Sequence, residues 1–221
     1  MKPGSRQHNH MKIREKIRQL LVRSSLYHEA RARYASRPSP PPHVAKQNVL
    51  RETSRVLNLK VLVETRTYLG DMVNEMISAF DRVYSIELSN ELCELARRRF
   101  SRRDSVTILQ GDSGTELPKL VRSVKVPILF WLGGHYSAGM TALGSRHTPI
   151  FEELDAIFSF ADPGSAVVVD DARLFGSEAG YPSLDELFAY IKQRSPSGLV
   201  YIKHDSTRIL PAGSPPPGDF Y

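Results

Sequence analysis

Acidic side chains recur in this sequence where short apolar runs end. Glu64 closes Val61-Leu62-Val63, Glu87 closes Val83-Tyr84-Ser85-Ile86, Asp112 follows Ile108-Leu109-Gln110-Gly111, and Asp170 with Asp171 follows Ala166-Val167-Val168-Val169. A carboxylate can accept two hydrogen bonds at once, which suits the hydroxyl pair of a ribose. In nucleotide-binding α/β units such an acid stands about 20 residues beyond a glycine-containing first loop. Glu87 meets this requirement, 23 residues after Glu64 with Gly70 in the loop between them. Asp112 suits an adenine amino group, and Ser113 suits either a ligand contact or the N-cap of a following helix. A single acid at a strand end has an ordinary explanation in helix capping or in the helix dipole. Four such positions in the right order call for a site. The loop after Glu64 has one glycine, Gly70, and lacks the G-x-G-x-x-G that a nicotinamide-binding unit wants.

These acids need strands and helices to hold them, and the sequence supplies both in alternation. A helix over Val44–Leu57 precedes a first buried strand over Lys60–Glu64. Then come a helix at Asp71–Phe80, a strand at Arg82–Glu87, a helix at Asn90–Phe100, a strand at Ser105–Gln110 and a helix near Thr115–Val121. The strand Pro127–Leu132, the helix Ile150–Phe160, the strand Ser165–Asp170 and the helix Ser183–Arg194 continue the series. Two last strands, Leu199–Lys203 and Ser206–Leu210, are separated only by His204 and Asp205, a hairpin spacing. The pattern predicts a doubly wound α/β fold, a mainly parallel seven-stranded sheet with helices on both faces and an antiparallel C-terminal hairpin. In such sheets ligands bind outside the carboxyl ends of the strands, where the acids lie.

The 221 residues are enough for one substantial core, at 41% hydrophobic content. We expect a basic helical extension with a Pro-rich linker over 1–43, the α/β domain over 44–211 and a flexible Pro/Gly-rich tail over 212–221. The extension carries one narrow stripe of Ile13, Ile17, Leu20, Leu21, Ser24 and Tyr27, which suits packing on the body or a partner; a homo-oligomer is compatible with it. Residues 1–50 hold eleven Lys/Arg against Glu15 and Glu29, whereas the remainder is net negative. A basic arm attracts anionic partners unspecifically, and a solvated helical face explains it more simply. Arg97, Arg98, Arg99, Arg102 and Arg103 read as surface charge at a helix end. The single cysteine, Cys93, falls in a helical pattern and reads as a buried inert thiol. No apolar run approaches the roughly 20 residues of a membrane helix and no signal peptide is evident, so a cytoplasmic location is expected.

Over roughly residues 40–210 the ordered motifs resemble a family of small bacterial class I S-adenosylmethionine-dependent methyltransferase-like proteins, distantly similar to macrocin O-methyltransferases. Val63-Glu64-Thr65-Arg66-Thr67-Tyr68-Leu69-Gly70, Tyr84-Ser85-Ile86-Glu87-Leu88-Ser89 and Gln110-Gly111-Asp112-Ser113-Gly114 resemble its cofactor segments. Phe130-Trp131-Leu132-Gly133-Gly134-His135-Tyr136-Ser137, Thr148-Pro149-Ile150, Asp170-Asp171-Ala172-Arg173 and Tyr181-Pro182-Ser183 extend the match.

The resemblance implies S-adenosylmethionine as cofactor, held by Glu64, Thr65, Arg66, Gly70, Glu87, Asp112 and Ser113. It also implies a sugar or small hydroxylated acceptor. His135 would serve as general base and Asp171 would meet acceptor hydroxyls. Asp170 and Asp171 would bind magnesium, less firmly here because Gly133 stands where the family has an aspartate. The second departure is Arg66, where the family has glycine. If that position needs a positive φ, a side chain there costs about 1 kcal/mol besides any clash. A rival of another class follows from both departures, a catalytically degenerate protein that keeps the fold as a binding or scaffold module. A nucleic-acid methyltransferase is disfavoured, since no N/D-P-P-Y/F motif occurs.

Overall fold

A computed structural model describes residues 40–133, 148–178 and 180–215. The expected helical extension with its apolar stripe, residues 36–39 of the Pro-rich linker, and His135 lie outside these residues. The compact unit that carries the sheet begins at Gln47.

In chain order the elements are α1 (His43–Leu57), β1 (Val61–Glu64), α2 (Asp71–Met76), β2 (Arg82–Glu87), α3 (Asn90–Arg99), β3 (Val106–Gln110) and α4 (Ser113–Ser123). They continue with β4 (Ile128–Leu132), α5 (Ile150–Phe160), β5 (Ala166–Val169), a 3-10 turn (Ala172–Leu174), α6 (Leu184–Arg194), β6 (Leu199–Lys203) and β7 (Ser206–Leu210). The seven strands pair in the order β3-β2-β1-β4-β5-β7-β6. Only β7 runs antiparallel to its neighbours β5 and β6. The predicted architecture is the observed one.

Strands β1, β4 and β5 are buried at every position, as a parallel sheet covered on both faces requires. Alternation then assigns each side chain a layer. Leu62 joins Leu50, Met72, Met76, Cys93 and Ala96 beneath α1, α2 and α3, while Val61 and Val63 join Leu117, Val121, Leu154, Leu187 and Ile191 beneath α4, α5 and α6. Cys93 is fully buried, and burial pushes its thiol up, in keeping with an inert core residue.

Local chemistry sets the boundaries. Ser89 caps α3 by accepting from Leu92 N, and Ser183 with Glu186 forms a capping box on α6. Asp112, rather than Ser113, caps α4: its side chain accepts from Gly114 N at 2.9 Å, and Ser113 is the first helical residue. Helix α2 ends at Met76 instead of Phe80. Ala79 N turns back to Met76 O, Phe80 is buried, and Asp81 N donates to Lys60 O, which steers the chain into β2. At the hairpin His204 and Asp205 take φ of 51° and 58°, the pair of positive angles that a type I′ turn demands.

Gly70 precedes α2 with φ +76°, and a Cβ there would lie 2.7 Å from Phe100 Cε2. Gly70→Ala is therefore expected to lower stability by roughly 2 kcal/mol, a fall in Tm of about 4–8 °C by calorimetry. An unchanged Tm would show that Phe100 yields freely.

Candidate functional site

The sheet reverses its winding at β1, which pairs with β2 on one side and β4 on the other. The carboxyl ends of these strands form the expected crevice. Glu64 ends β1 opposite Ser85 and Trp131, and Glu87 ends β2 opposite Gln110.

Glu64 is almost wholly buried and accepts the Ser85 hydroxyl at 2.7 Å, while Ser85 Oγ lies 2.6 Å from Thr67 Oγ1. Burial pushes its carboxyl up to about 8, aided by the negative charge of Glu87 and opposed by the Ser85 hydrogen bond and by Arg66. Glu87 is also buried. Its Oε2 accepts from Tyr68 N at 2.8 Å and its Oε1 from Ser89 N at 3.0 Å, so the loop after β1 is tied directly to the acid after β2. The main-chain carbonyl of Glu87 accepts from Gly111 N at 2.9 Å, which brings the Asp112 turn alongside.

Arg66 is half-buried beside this group. Burial lowers its guanidinium below the usual range, and the charges of Glu87, Asp171 and Asp170, together with the Tyr68 hydroxyl, act against that. Its guanidinium lies 5.9 Å from the centre of the Tyr68 ring. The side chain thus reaches among the acids of the crevice rather than away from them. Arg66 does not adopt a positive φ, which corrects the expectation of backbone strain there. The left-handed residues of this loop are Tyr68 (φ 48°) and Gly70.

Asp170 and Asp171 follow β5. Asp170 N donates to Leu132 O, and Asp170 Oδ1 accepts from Asp171 N at 2.8 Å. Asp171 is buried with φ 54°, and its Oδ1 accepts from Arg173 at 2.7 Å. Arg173 also pairs with Asp205 of the β6–β7 turn, and its main-chain N–H donates to Asp205 Oδ1 at 2.8 Å. Burial works to lower the Arg173 pKa, but Asp171 and Asp205 outweigh it and raise it. Asp171 is therefore committed to an internal ion pair. No group of three or more His, Cys, Asp or Glu able to hold a metal occurs among the described residues. The described residues, with Asp171 held by Arg173, do not fit a magnesium ion.

Two residues, Arg99 and Glu153, take places at the site that their sequence context did not suggest. Arg99, expected as surface charge, donates to Leu69 O and to Asp71 Oδ1, fastening the loop between β1 and α2. Glu153, in the first turn of α5, is 1% exposed. Burial pushes its carboxyl up to about 7. The nearby Ser113 and Thr65 hydroxyls pull it down, and Asp112 and Glu152 push it up. Despite that proximity, neither Glu153 Oε1 nor Thr65 Oγ1 has a well-formed hydrogen bond among the described residues. A carboxyl in the polar first turn of a predicted helix gave no hint of burial; only the packing of α5 on α4 makes it a site residue.

No family model matches this sequence, and neither does any curated protein. Solved structures do resemble it. The O-methyltransferase TomG from Streptomyces achromogenes, solved with SAM, superposes with a TM-score of 0.59 at 19% identity, covering 82% of this chain and 86% of that one. An O-methyltransferase from Bacillus cereus, in complex with SAH, gives 0.54 at 13% identity, covering 86% and 90%. A protein proposed as an rRNA methylase from Clostridium thermocellum gives 0.51 at 11% identity, covering 73% and 95%. At such identities the likeness establishes the fold and leaves the acceptor open.

Proposed function

We propose that this chain, whose fold is that of the class I methyltransferases, moves a methyl group from S-adenosylmethionine to an oxygen of a small hydroxylated acceptor such as a sugar. The convergence of Glu64, Glu87 and Asp112 at the switch point of the sheet carries the reading, because a ribose, an adenine and a cationic sulfur each call for acceptors there. The unmatched Thr65 and Glu153 groups supply further places for polar ligand atoms. Arg66 fits this reading poorly.

The cofactor would bring an activated methyl group on a positively charged sulfur. Glu87, preset by Tyr68 N and Ser89 N, keeps lone pairs for ribose hydroxyls, and Asp112 keeps its second oxygen for an amino group while capping α4. Gly70 and Thr65 shape the loop beside them. His135 takes the acceptor proton and Asp170 orients its hydroxyls, while Asp171 acts through its pair with Arg173. Positioning and exclusion of water supply most of the rate in such transfers.

Calorimetric titration with S-adenosylmethionine tests the reading directly. Measurable heat from the wild-type chain, with binding weakened roughly five- to tenfold in Glu87→Gln, is the expected result. No heat at millimolar cofactor would count against it. A second reading draws on Arg66 lying among the crevice acids and on the missing third metal-type acid at Gly133. On that reading the chain is a scaffold that keeps the fold without turnover.

A further inference from the structure

Beside the crevice, between the ends of β4 and β5 and the start of α5, lies a cavity of about 10 Å³. Gly133, Thr148, Glu153, Asp170 and Tyr181 line it together with apolar side chains, and no lysine or arginine does. That volume is about what one water-sized group requires, the size of a single ammonium head. Glu153 is the telling member: its carboxyl is wholly buried and one of its oxygens has no partner among the described residues. A buried acceptor left unmatched destabilises the empty protein, and a bound donor would remove that cost.

We propose that this cavity is a primary-ammonium pocket, in which Glu153 accepts N–H donors from an amine-bearing ligand. A hydroxyl could fill the same space, but only a cation compensates the burial of an ionised carboxylate. A divalent metal fits poorly, since a cavity of this size leaves no room for the waters that would complete six oxygens around it. The groups facing Glu153 agree with this. Asp112 and Glu152 add negative charge, Ser113 and Thr65 offer hydroxyls, and Asp170 and Tyr181 share the cavity. The amine has two sources, the amino-acid end of the cofactor or an aminated acceptor; assigning it to either rests on the methyl-transfer reading above.

The pocket itself is testable without that reading. At pH 8 and constant ionic strength, methylammonium at about ten times its Kd is expected to raise the Tm of the full chain by about 3–5 °C, and tetramethylammonium by none. Glu153→Gln should abolish the shift. Where that variant fails to fold, Glu153→Asp, which keeps the charge and shortens the reach, should reduce it. Equal shifts with both ions, or in wild type and variant, would overturn the proposal and leave the cavity to water. S-adenosylhomocysteine, 5′-methylthioadenosine and glucosamine then identify the source. Weakening by Glu153→Gln of S-adenosylhomocysteine alone assigns the amine to the cofactor, and weakening of glucosamine alone assigns it to the acceptor. If methylammonium discriminates but no adenosyl ligand binds, the pocket stands and the methyltransferase reading falls.

Discussion

Replacing Arg66 by glycine is expected to tighten S-adenosylmethionine binding ten- to a hundredfold, and S-adenosylhomocysteine binding by less. Two effects of the wild-type side chain lie behind this. Its length occupies the crevice, and its charge is held there by Glu87, Asp171 and Asp170, the acids that a cationic ligand needs. Steric release helps both ligands. Charge release helps only the sulfonium, because two cations about 4 Å apart repel by about 4 kcal/mol at the effective dielectric of a protein surface, reduced further by salt. The excess gain for S-adenosylmethionine, read by paired titrations, therefore separates charge from bulk. Arg66→Ala removes everything beyond Cβ, the guanidinium included, without the added backbone freedom of glycine, and should give a similar gain. Weaker binding in both variants would sink the idea and show that Arg66 grips the ligand's carboxylate.

Much of this was legible before any coordinates. The strand-end acids, the helix–strand alternation and the two-residue hairpin all depend on neighbours in sequence, and each carries a local signal: Glu64 ends an apolar run, and His204-Asp205 leaves room for only a tight turn. Capping was legible as a choice, since Asp112 and Ser113 both qualify, and only the backbone geometry decided for Asp112. What could not be read were properties that arise between distant elements. Arg173 reaches Asp205, 32 residues on along the chain, and its pair with Asp171 turns an expected metal ligand into half of an ion pair. Glu153 becomes buried because α5 packs on α4. The direction of Arg66 was likewise a tertiary outcome, and it proved the most consequential.

The same buried carboxyls make the free protein less stable as pH rises. Glu64 and Glu153 have folded-state pKa values of about 8 and about 7 against 4.5 for the ordinary carboxyl. Below about pH 4.5 both groups are neutral whether folded or not, and they contribute no pH dependence. Between there and pH 8 the unfolded chain has released these protons while the folded chain keeps them, so stability falls with pH. Each pKa unit is worth about 1.4 kcal/mol, and half of the combined shift already amounts to roughly 4 kcal/mol. The Tm is expected to drop by about 10 °C from pH 5 to pH 8.5, read by circular dichroism. His204, whose pKa is lowered chiefly by partial burial, works weakly the other way at the acid end. Glu64→Gln and Glu153→Gln should each flatten the curve, and the double variant should nearly abolish it. A Tm that rises over this window, or a double variant with the wild-type slope, would refute the assignment. A cationic ligand should reverse the trend, because it binds the ionised forms: its affinity climbs over the pH range in which the empty fold weakens. Arg66 already supplies part of that compensation to Glu64, so Arg66→Gly should steepen the pH dependence of the free chain while opening the crevice to ligand.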